Sequence, residues 1–142
     1  MEEEEETQNM QEKQTTLADM QEIKNNNHAV LGEIVKEYHL MIKPALRQRN
    51  YTGAGAVIRT SNFKLQIMVG TENGEIKDDA YQRVNGVFWN CKGALASLSE
   101  AVTYNYTGEH LEEMLYQAER KFKRMDDELK DDPAYMKQRK ID

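Results

Sequence analysis

Residues 57–69 have the sequence V-I-R-T-S-N-F-K-L-Q-I-M-V, in which two apolar runs flank the polar segment 60–62. From Phe63 to Val69, every second residue is a large apolar one. A period of two places such residues on one face of a β-strand. The stretch therefore predicts a β-hairpin with one buried face.

A third strand is predicted at 81–90, Y-Q-R-V-N-G-V-F-W-N, with a bend or break at Asn85-Gly86. The connection at 70–79, G-T-E-N-G-E-I-K-D-D, is rich in turn-forming residues and contains Asn73-Gly74. Because these connections are too short for a helical crossover, we expect the strands to be antiparallel.

The segments on either side of this sheet have helical periodicity. Apolar residues over 17–45 recur at spacings of three, four and seven, which predicts a long helix that ends between 43 and 50. A short helix is predicted after Gly93, and a longer one follows Thr107, which is suited to cap a helix N-terminus. The predicted fold class is α+β, with an N-terminal long helix, a small antiparallel sheet of about three strands and two C-terminal helices.

Charge is unevenly distributed along the chain. The 142 residues include 19 Lys and Arg and 25 Asp and Glu, a net charge of −6. Six of the acids, Glu2 to Glu6 and Glu12, lie within the first 12 residues, which contain no base, so the remainder is neutral. We expect an acidic disordered tail at 1–15, a single α+β domain at 16–132 and a C-terminal tail at 133–142.

Composition also limits the setting of the protein. No apolar run approaches the ~20 residues that a membrane-spanning helix needs, and the acidic N-terminus is unlike a signal peptide. The single cysteine, Cys91, excludes an internal disulfide and a cysteine-based zinc site. We therefore expect a cytoplasmic protein with no membrane partner.

The N-terminal helix carries an apolar seam close to a heptad repeat. Its members are Met20, Asn27, Leu31, Ile34, Tyr38 and Met41. Two interpretations remain open: the helix packs on its own domain, or it also pairs with a second subunit. The second interpretation predicts a homo-oligomer.

Residues suited to catalysis are few and scattered. His28, His39 and His110 lie outside any metal-binding or catalytic motif, and solvation or capping is the favoured role for His28 and His110. Cys91 has no neighbouring base in the sequence, which favours a structural thiol. We therefore expect a protein that is not an enzyme and uses neither a metal nor a cofactor.

Residues 38–71 contain five bases and no acid, in a chain whose body is neutral. Guanidinium groups together with the exposed amides of the small-residue segment 52–55 suit phosphate oxygens. A second basic cluster lies at 120–124. These groups fit a small phosphorylated ligand or an ordinary solvated surface, while the neutral body argues against duplex DNA. The five bases of the window are Lys43, Arg47, Arg49, Arg59 and Lys64.

The succession F-K-L-Q-I-M-V (63–69), R-V-N-G-V-F-W-N (83–90) and G-A-L-A-S-L-S-E-A-V (93–102) resembles small accessory proteins of phages. Over about 57–130 the layout is similar to the family of Thoeris anti-defence protein 1. The resemblance implies an oligomer that sequesters a cyclic ADP-ribose-like signal through arginines and an aromatic residue, without turnover. Residues of matching type are Arg59, Arg83, Phe88, Asn105, Arg120 and Arg124, to which the basic window adds Arg47, Arg49 and Lys64 as ligand-binding candidates.

The leading hypothesis is therefore a phage anti-defence protein that binds and sequesters a cyclic nucleotide immune signal. The alternative is an anti-CRISPR-like inhibitor that docks on a host defence protein or a nucleic-acid-binding protein through its helices and acidic tail.

Overall fold

The described part of the chain is built almost entirely from helices. The structure, a computed structural model, describes residues 21–68, 71–72, 75–76 and 82–141. None of the helices within these ranges is long and apolar enough to cross a membrane. The elements in chain order are α1 (21–37), a π-helical turn (Tyr38–Ile42), α2 (Lys43–Arg47), α3 (Tyr51–Gln66), β1 (Thr71–Glu72), β2 (Glu75–Ile76), α4 (Gln82–Thr103), α5 (Gly108–Glu128) and α6 (Pro133–Arg139).

The predicted α+β class with a three-stranded sheet is wrong. Within the described ranges, strand geometry is limited to one antiparallel pair of two-residue strands, in which Thr71 faces Ile76 and Glu72 faces Glu75. The acidic tail predicted at 1–15 lies outside the described residues.

The predicted hairpin at 57–69 lies mostly within helix α3. Leu65 is 2% exposed, whereas Phe63 and Ile67 are 59% and 61% exposed. In a helix, residues four apart, such as Phe63 and Ile67, lie on the same face. With the buried Leu65 between them, these apolar residues have the two-residue spacing in the sequence that is also typical of a strand. The buried positions of this segment, at 58, 61, 65 and 68, recur at spacings of three and four, as in an amphipathic helix.

The predicted third strand at 81–90 is helical from Gln82, where α4 begins, and α4 also includes the short helix predicted after Gly93. Phe88 is 1% exposed and its neighbour Trp89 is 45% exposed. Gly86, where a bend was expected, lies inside the helix. Buried residues at 87, 88, 91, 94, 95, 98 and 101 define one helical face that enters the core.

Helix α1 with its continuation α2 runs antiparallel to both α3 and α5. The Lys64 ammonium of α3 bonds to the carboxylates of Glu33 and Glu37 on α1, at 2.8 and 2.9 Å. Lys43, at the start of α2, bonds to Glu119 of α5 at 2.5 Å. Arg47, about one turn after Lys43, bonds to Glu112, which precedes Glu119 on α5. Because later residues of α2 contact earlier residues of α5, the two helices run antiparallel.

Helix α4 packs against both α3 and α5. A Cβ on Gly55 of α3 would touch the side chain of Val102, and one on Gly93 of α4 would touch that of Lys121. The α4–α5 pairing is antiparallel, since the short turn at 104–107 links the two helices. Because α3 and α5 both run antiparallel to α1, α3 is parallel to α5 and therefore antiparallel to α4. The four helices α1/α2, α3, α4 and α5 therefore form an up-down-up-down bundle, each packed on its neighbours in sequence, with α5 returning to α1.

The heptad-like seam of α1 faces the core of its own bundle. Leu31, Ile34 and Tyr38 are fully buried, and the Tyr38 ring lies 5.0 Å from that of Phe122 on α5. Met41, at the end of the seam, is 51% exposed. The other helices of the same chain cover Leu31, Ile34 and Tyr38. These seam residues therefore cannot also pair with a second subunit.

Residues 133–139, which the sequence analysis assigned to a tail, form helix α6 and pack on the bundle. Asp132 caps this helix by accepting a hydrogen bond from the Tyr135 N–H at 3.0 Å, and Pro133 occupies its first turn. Gly32 of α1 lies against the α6 backbone, where a Cβ would overlap the carbonyl oxygen of Tyr135. The buried Tyr135 ring and this close approach hold α6 on α1.

The predicted ends of two helices are confirmed. The N-terminal helical segment ends at Arg47, inside the predicted interval 43–50. Helix α5 begins at Gly108 with Thr107 in the N-cap position, although the Thr107 side chain makes no capping hydrogen bond.

Candidate functional site

The predicted ligand-binding residues do not form one cluster. Phe88 is buried in the core, so its ring is not available to stack on a ligand. Lys64 is neutralised by Glu33 and Glu37 of α1. Arg83 lies in the first turn of α4, and its side chain is outside the described part of the structure.

Three further arginines lie on the outer surfaces of helices that are not neighbours. Arg59 of α3 is exposed, with its guanidinium folded back along the helix towards Gly55. Arg120 and Arg124 of α5 are also exposed, and the Arg120 guanidinium lies 5.8 Å from the Tyr116 ring centre. Since α3 and α5 are diagonal in the bundle, these residues do not converge on one ligand with Arg59.

Arg47, Arg49 and Asn105, by contrast, lie together at one end of the bundle. The turn from α2 to α3 is a Schellman motif, in which the Asn50 N–H donates to the Ala45 carbonyl at 2.8 Å and the Arg49 N–H to the Leu46 carbonyl at 3.1 Å. Arg49 occupies the left-handed position of this motif with a φ of 61°. Glycine is the usual residue there because it has no Cβ.

The end of α4 repeats this motif. The Tyr106 N–H donates to the Ala101 carbonyl at 2.9 Å, and the Asn105 N–H donates to the Val102 carbonyl at 3.3 Å. Asn105 has a φ of 54°, which asparagine tolerates better than most residues. The chain then enters α5 through Gly108, whose φ is 58°.

The Tyr51 hydroxyl joins the two turns. It donates to the carbonyl of Tyr106 at 2.8 Å and lies 3.2 Å from the carbonyl of Asn105. Tyr51 is the first residue of α3 and follows Asn50, which caps α3 by accepting from the Gly53 N–H at 3.0 Å. The amides of 52–55, expected to approach a ligand, therefore belong to the first turn of α3, where that of Gly53 is occupied.

A groove of about 410 Å³ lies beside these turns, at the N-terminus of α5. Its size is within the usual range for small-molecule sites. The first N–H groups of a helix have no partner within the helix and attract negative charge. Its lining residues are Leu46, Arg47, Arg49, Thr107, Gly108, Glu109, Leu111 and Glu112.

The two arginines of this groove differ in their partners. Arg47 donates to Glu112 through Nε at 3.3 Å and Nη2 at 3.1 Å, and this hydrogen bonding raises the pKa of Arg47. Both side chains of the pair are more than half exposed, so the pair is weak and exchangeable. Arg49 forms no ion pair with any residue that the structure describes, which leaves its guanidinium available to a ligand.

Aromatic rings lie on the α4–α5 turn, which leads into the groove residues Thr107 and Gly108. Tyr104 and Tyr106 are stacked, with ring centres 5.9 Å apart, and the His110 ring lies 5.4 Å from that of Tyr106. Tyr106 is partly buried against the core, whereas Tyr104 is 66% exposed. No prediction from the sequence pointed to these rings, although an exposed tyrosine beside an asparagine in a turn offers a ring face.

The remaining reactive groups have structural surroundings. Cys91 is fully buried, and this burial raises the pKa of its thiol. The prediction of a solvated His28 is wrong: the ring is 2% exposed, and its Nδ1 lies 2.5 Å from Asp132 Oδ2. Among the described residues, no three His, Cys, Asp or Glu side chains are grouped to hold a metal ion.

The strands on which the phage-protein resemblance partly rested are helical in the structure. No protein-family model, curated protein or solved structure matches the chain.

Proposed function

We propose that the protein binds a small phosphate-bearing, nucleotide-like anion in the groove beside the N-terminus of α5, without catalysing its conversion. The observation that carries this proposal is Arg49, which lines the groove in a left-handed backbone conformation and has no ion pair within the described residues. Unfavourable backbone conformations concentrate at functional sites, where the side chain is needed in one place.

Each part of the groove has a role in this proposal. Arg49 and Arg47 bind phosphate oxygens, with Arg47 exchanging its exposed bond to Glu112 for the ligand. The free amides at the start of α5 bind the same oxygens. Tyr104 offers an exposed ring face for a base, because every nucleobase can stack on an aromatic ring.

Sequestration of a cyclic ADP-ribose-like immune signal, the role implied by the resemblance to Thoeris anti-defence proteins, is one biological form of this activity. It requires tight binding of an intact ligand. It does not require a nucleophile or a metal.

The test is calorimetric titration of the full chain with cyclic ADP-ribose, ADP-ribose, a cyclic dinucleotide and inorganic phosphate. We expect one of the nucleotides to bind, with an affinity that falls as salt is added. Arg49→Ala is expected to weaken binding at least tenfold, the loss of about one charged hydrogen-bonding group.

Arg124→Ala is the matched control, because Arg124 is an exposed arginine on α5 far from the groove. It is expected to leave the affinity unchanged. Equal losses from Arg49→Ala and Arg124→Ala would contradict a site in this groove, and no binding of any of the four probes would contradict the proposed function.

Inhibition of a host protein by direct docking is a second candidate function. Leu40 and Met41, adjacent in the π-helical turn, are each 51% exposed, which is unusual for two large apolar side chains side by side. A docking function predicts that Met41→Asp and deletion of residues 2–12 weaken inhibition, whereas Arg49→Ala does not.

A further inference from the structure

The outer face of α4 carries an exposed aromatic anchor. Trp89 is 45% exposed, yet its position is defined, because its ring packs edge-on against Phe88 with ring centres 5.6 Å apart. The Lys92 ammonium lies 4.9 Å from the centre of the same ring. A tryptophan held in place at a surface loses little freedom on binding, and such residues often dominate the energy of protein interfaces.

Exposed apolar side chains of α3 lie at the same end of the bundle. Gly55 of α3 is level with Val102 of α4, and both helices rise by about 1.5 Å per residue in opposite directions. Phe63 and Ile67 are therefore level with the Trp89 end of α4, and both are more than half exposed. Three large exposed apolar side chains thus lie at one end of the α3–α4 pair.

The charges on this face are arranged symmetrically about Ala96. Lys92 lies four residues before Ala96 and Glu100 four residues after it, and all three are exposed on the same stripe of the helix. Neither Lys92 nor Glu100 forms an ion pair with another residue that the structure describes. A parallel copy of the helix would place like charges together, whereas an antiparallel copy centred on Ala96 pairs Lys92 with Glu100 twice.

We propose that this face is a homodimer interface, in which α4 of two copies packs antiparallel about a twofold axis at Ala96. A twofold contact must be self-complementary, and this pattern of charges is. The small Ala96 side chain lets the two helices approach closely at the crossing, and the exposed Trp89 of each copy adds apolar area on either side of it. The interface involves no residue that lines the groove at the start of α5, so it goes beyond the proposed ligand-binding function.

The experiment measures the dimer dissociation constant by sedimentation equilibrium, up to about 100 µM protein, a range that covers weak dimers. Lys92→Glu and Glu100→Lys are each expected to weaken the dimer about tenfold, because two attractive pairs become repulsive. The double variant Lys92→Glu with Glu100→Lys restores the pairing with exchanged signs, and its affinity is expected to return to within about threefold of the original. Ala96→Glu brings two like charges together at the axis and is expected to give monomers.

Lys123→Glu is the matched control, because it makes the same charge change at an exposed position of α5. It is expected to leave the dimer unchanged. All substituted positions are exposed, and circular dichroism verifies that each variant retains its helices. A monomeric original protein at the highest concentration, or a double variant that remains as dissociated as the single ones, would overturn the proposal.

Discussion

Arg49 is the residue whose backbone conformation is most informative. A side chain with a Cβ pays about 1 kcal/mol to adopt the left-handed conformation that a Schellman motif requires. Arg49→Gly is therefore expected to raise the free energy of unfolding by about 0.5–1 kcal/mol, and Arg49→Ala, which keeps the Cβ, to change it by only a few tenths. Urea unfolding followed by circular dichroism measures both.

Asn105→Gly provides the comparison at the equivalent position of the second turn. Its gain is expected to be smaller, because asparagine already tolerates a φ of 54°. Both variants of Arg49 are expected to lose ligand affinity, so the glycine variant combines higher stability with weaker binding. If glycine and alanine at position 49 gave equal stability, the Arg49 backbone would not be strained.

The acid-free window 38–71 identified Arg47 and Arg49 correctly as basic residues near one another, but it could not show their partners. Lys43 and Arg47 bond to α5, and Lys64 bonds to α1, so carboxylates far away in the sequence neutralise much of the window. A local charge count cannot include such partners, because they arrive only when the helices pack. The aromatic rings at 104 and 106 were missed for a different reason, because the charge pattern that defined the candidate site does not include uncharged side chains.

Among the elements, α1 and α5 were predictable and α3 and α4 were not. Over many turns a period near 3.6 is distinct, as in α5, whose start was predicted correctly. Over only seven residues, 63–69, a helical period of about 3.6 is hard to distinguish from the strand period of two. The exposed apolar residues Phe63 and Ile67 produced the strand-like alternation. Tertiary packing then overrides the strand preference of β-branched and aromatic residues.

Helix α6 depends on a close backbone contact that leads to a specific prediction. A Cβ at Gly32 would overlap the Tyr135 carbonyl oxygen, and the backbone of α6 cannot yield as a side chain could. Gly32→Ala is therefore expected to displace α6 and destabilise the protein by about 1–3 kcal/mol, the usual range for overpacking. Amide hydrogen exchange is expected to show faster exchange over 133–139.

Gly86→Ala is the control for this change. A Cβ there would meet nothing within 4 Å, and the residue lies inside α4, so alanine is expected to stabilise the protein by about 0.5–1 kcal/mol through its higher helix propensity. Unchanged protection of 133–139 in Gly32→Ala would contradict the docking of α6 on α1.

Across the whole molecule, hydrogen bonds and ion pairs of carboxylates join one helix to another. Asp126 accepts the Tyr135 hydroxyl at 2.5 Å and both Arg139 Nε at 2.9 Å and Nη2 at 3.1 Å, which ties α6 to α5. Burial raises the pKa of Glu119 and of Asp132, but hydrogen bonds to the two carboxylates lower it by more. Both pKa values therefore lie below the ordinary ones. The hydrogen bond from Lys64 likewise lowers the pKa of Glu33.

Because of these carboxyl groups, the free energy of unfolding of the bundle is expected to depend on pH in the acidic range. A group whose pKa is lower in the folded than in the unfolded protein stabilises the fold above its unfolded pKa, and this stabilisation is lost as the pH falls through the folded value. For Glu33 and Glu119 the ordinary pKa is 4.5, so stability is expected to decline below about that pH. Above it, in neutral solution, the pairs are intact.

Lys64→Met separates the charge of this lysine from the packing of its side chain. Hydrogen bonds to Glu33 and Glu37 outweigh burial and raise the pKa of Lys64, so its charge is constant between pH 3 and 7, the range in which Glu33 titrates. At pH 7 the variant leaves two carboxylates without their cation and is expected to lose about 1 kcal/mol, a figure reduced for solvent screening. As the pH falls from 7 towards 3 and Glu33 takes up a proton, the difference from the original protein is expected to shrink. Urea unfolding of both proteins at the two pH values measures this, and an equal deficit at pH 3 and pH 7 would show that Lys64 stabilises the α1–α3 contact through its hydrocarbon stem rather than through its charge.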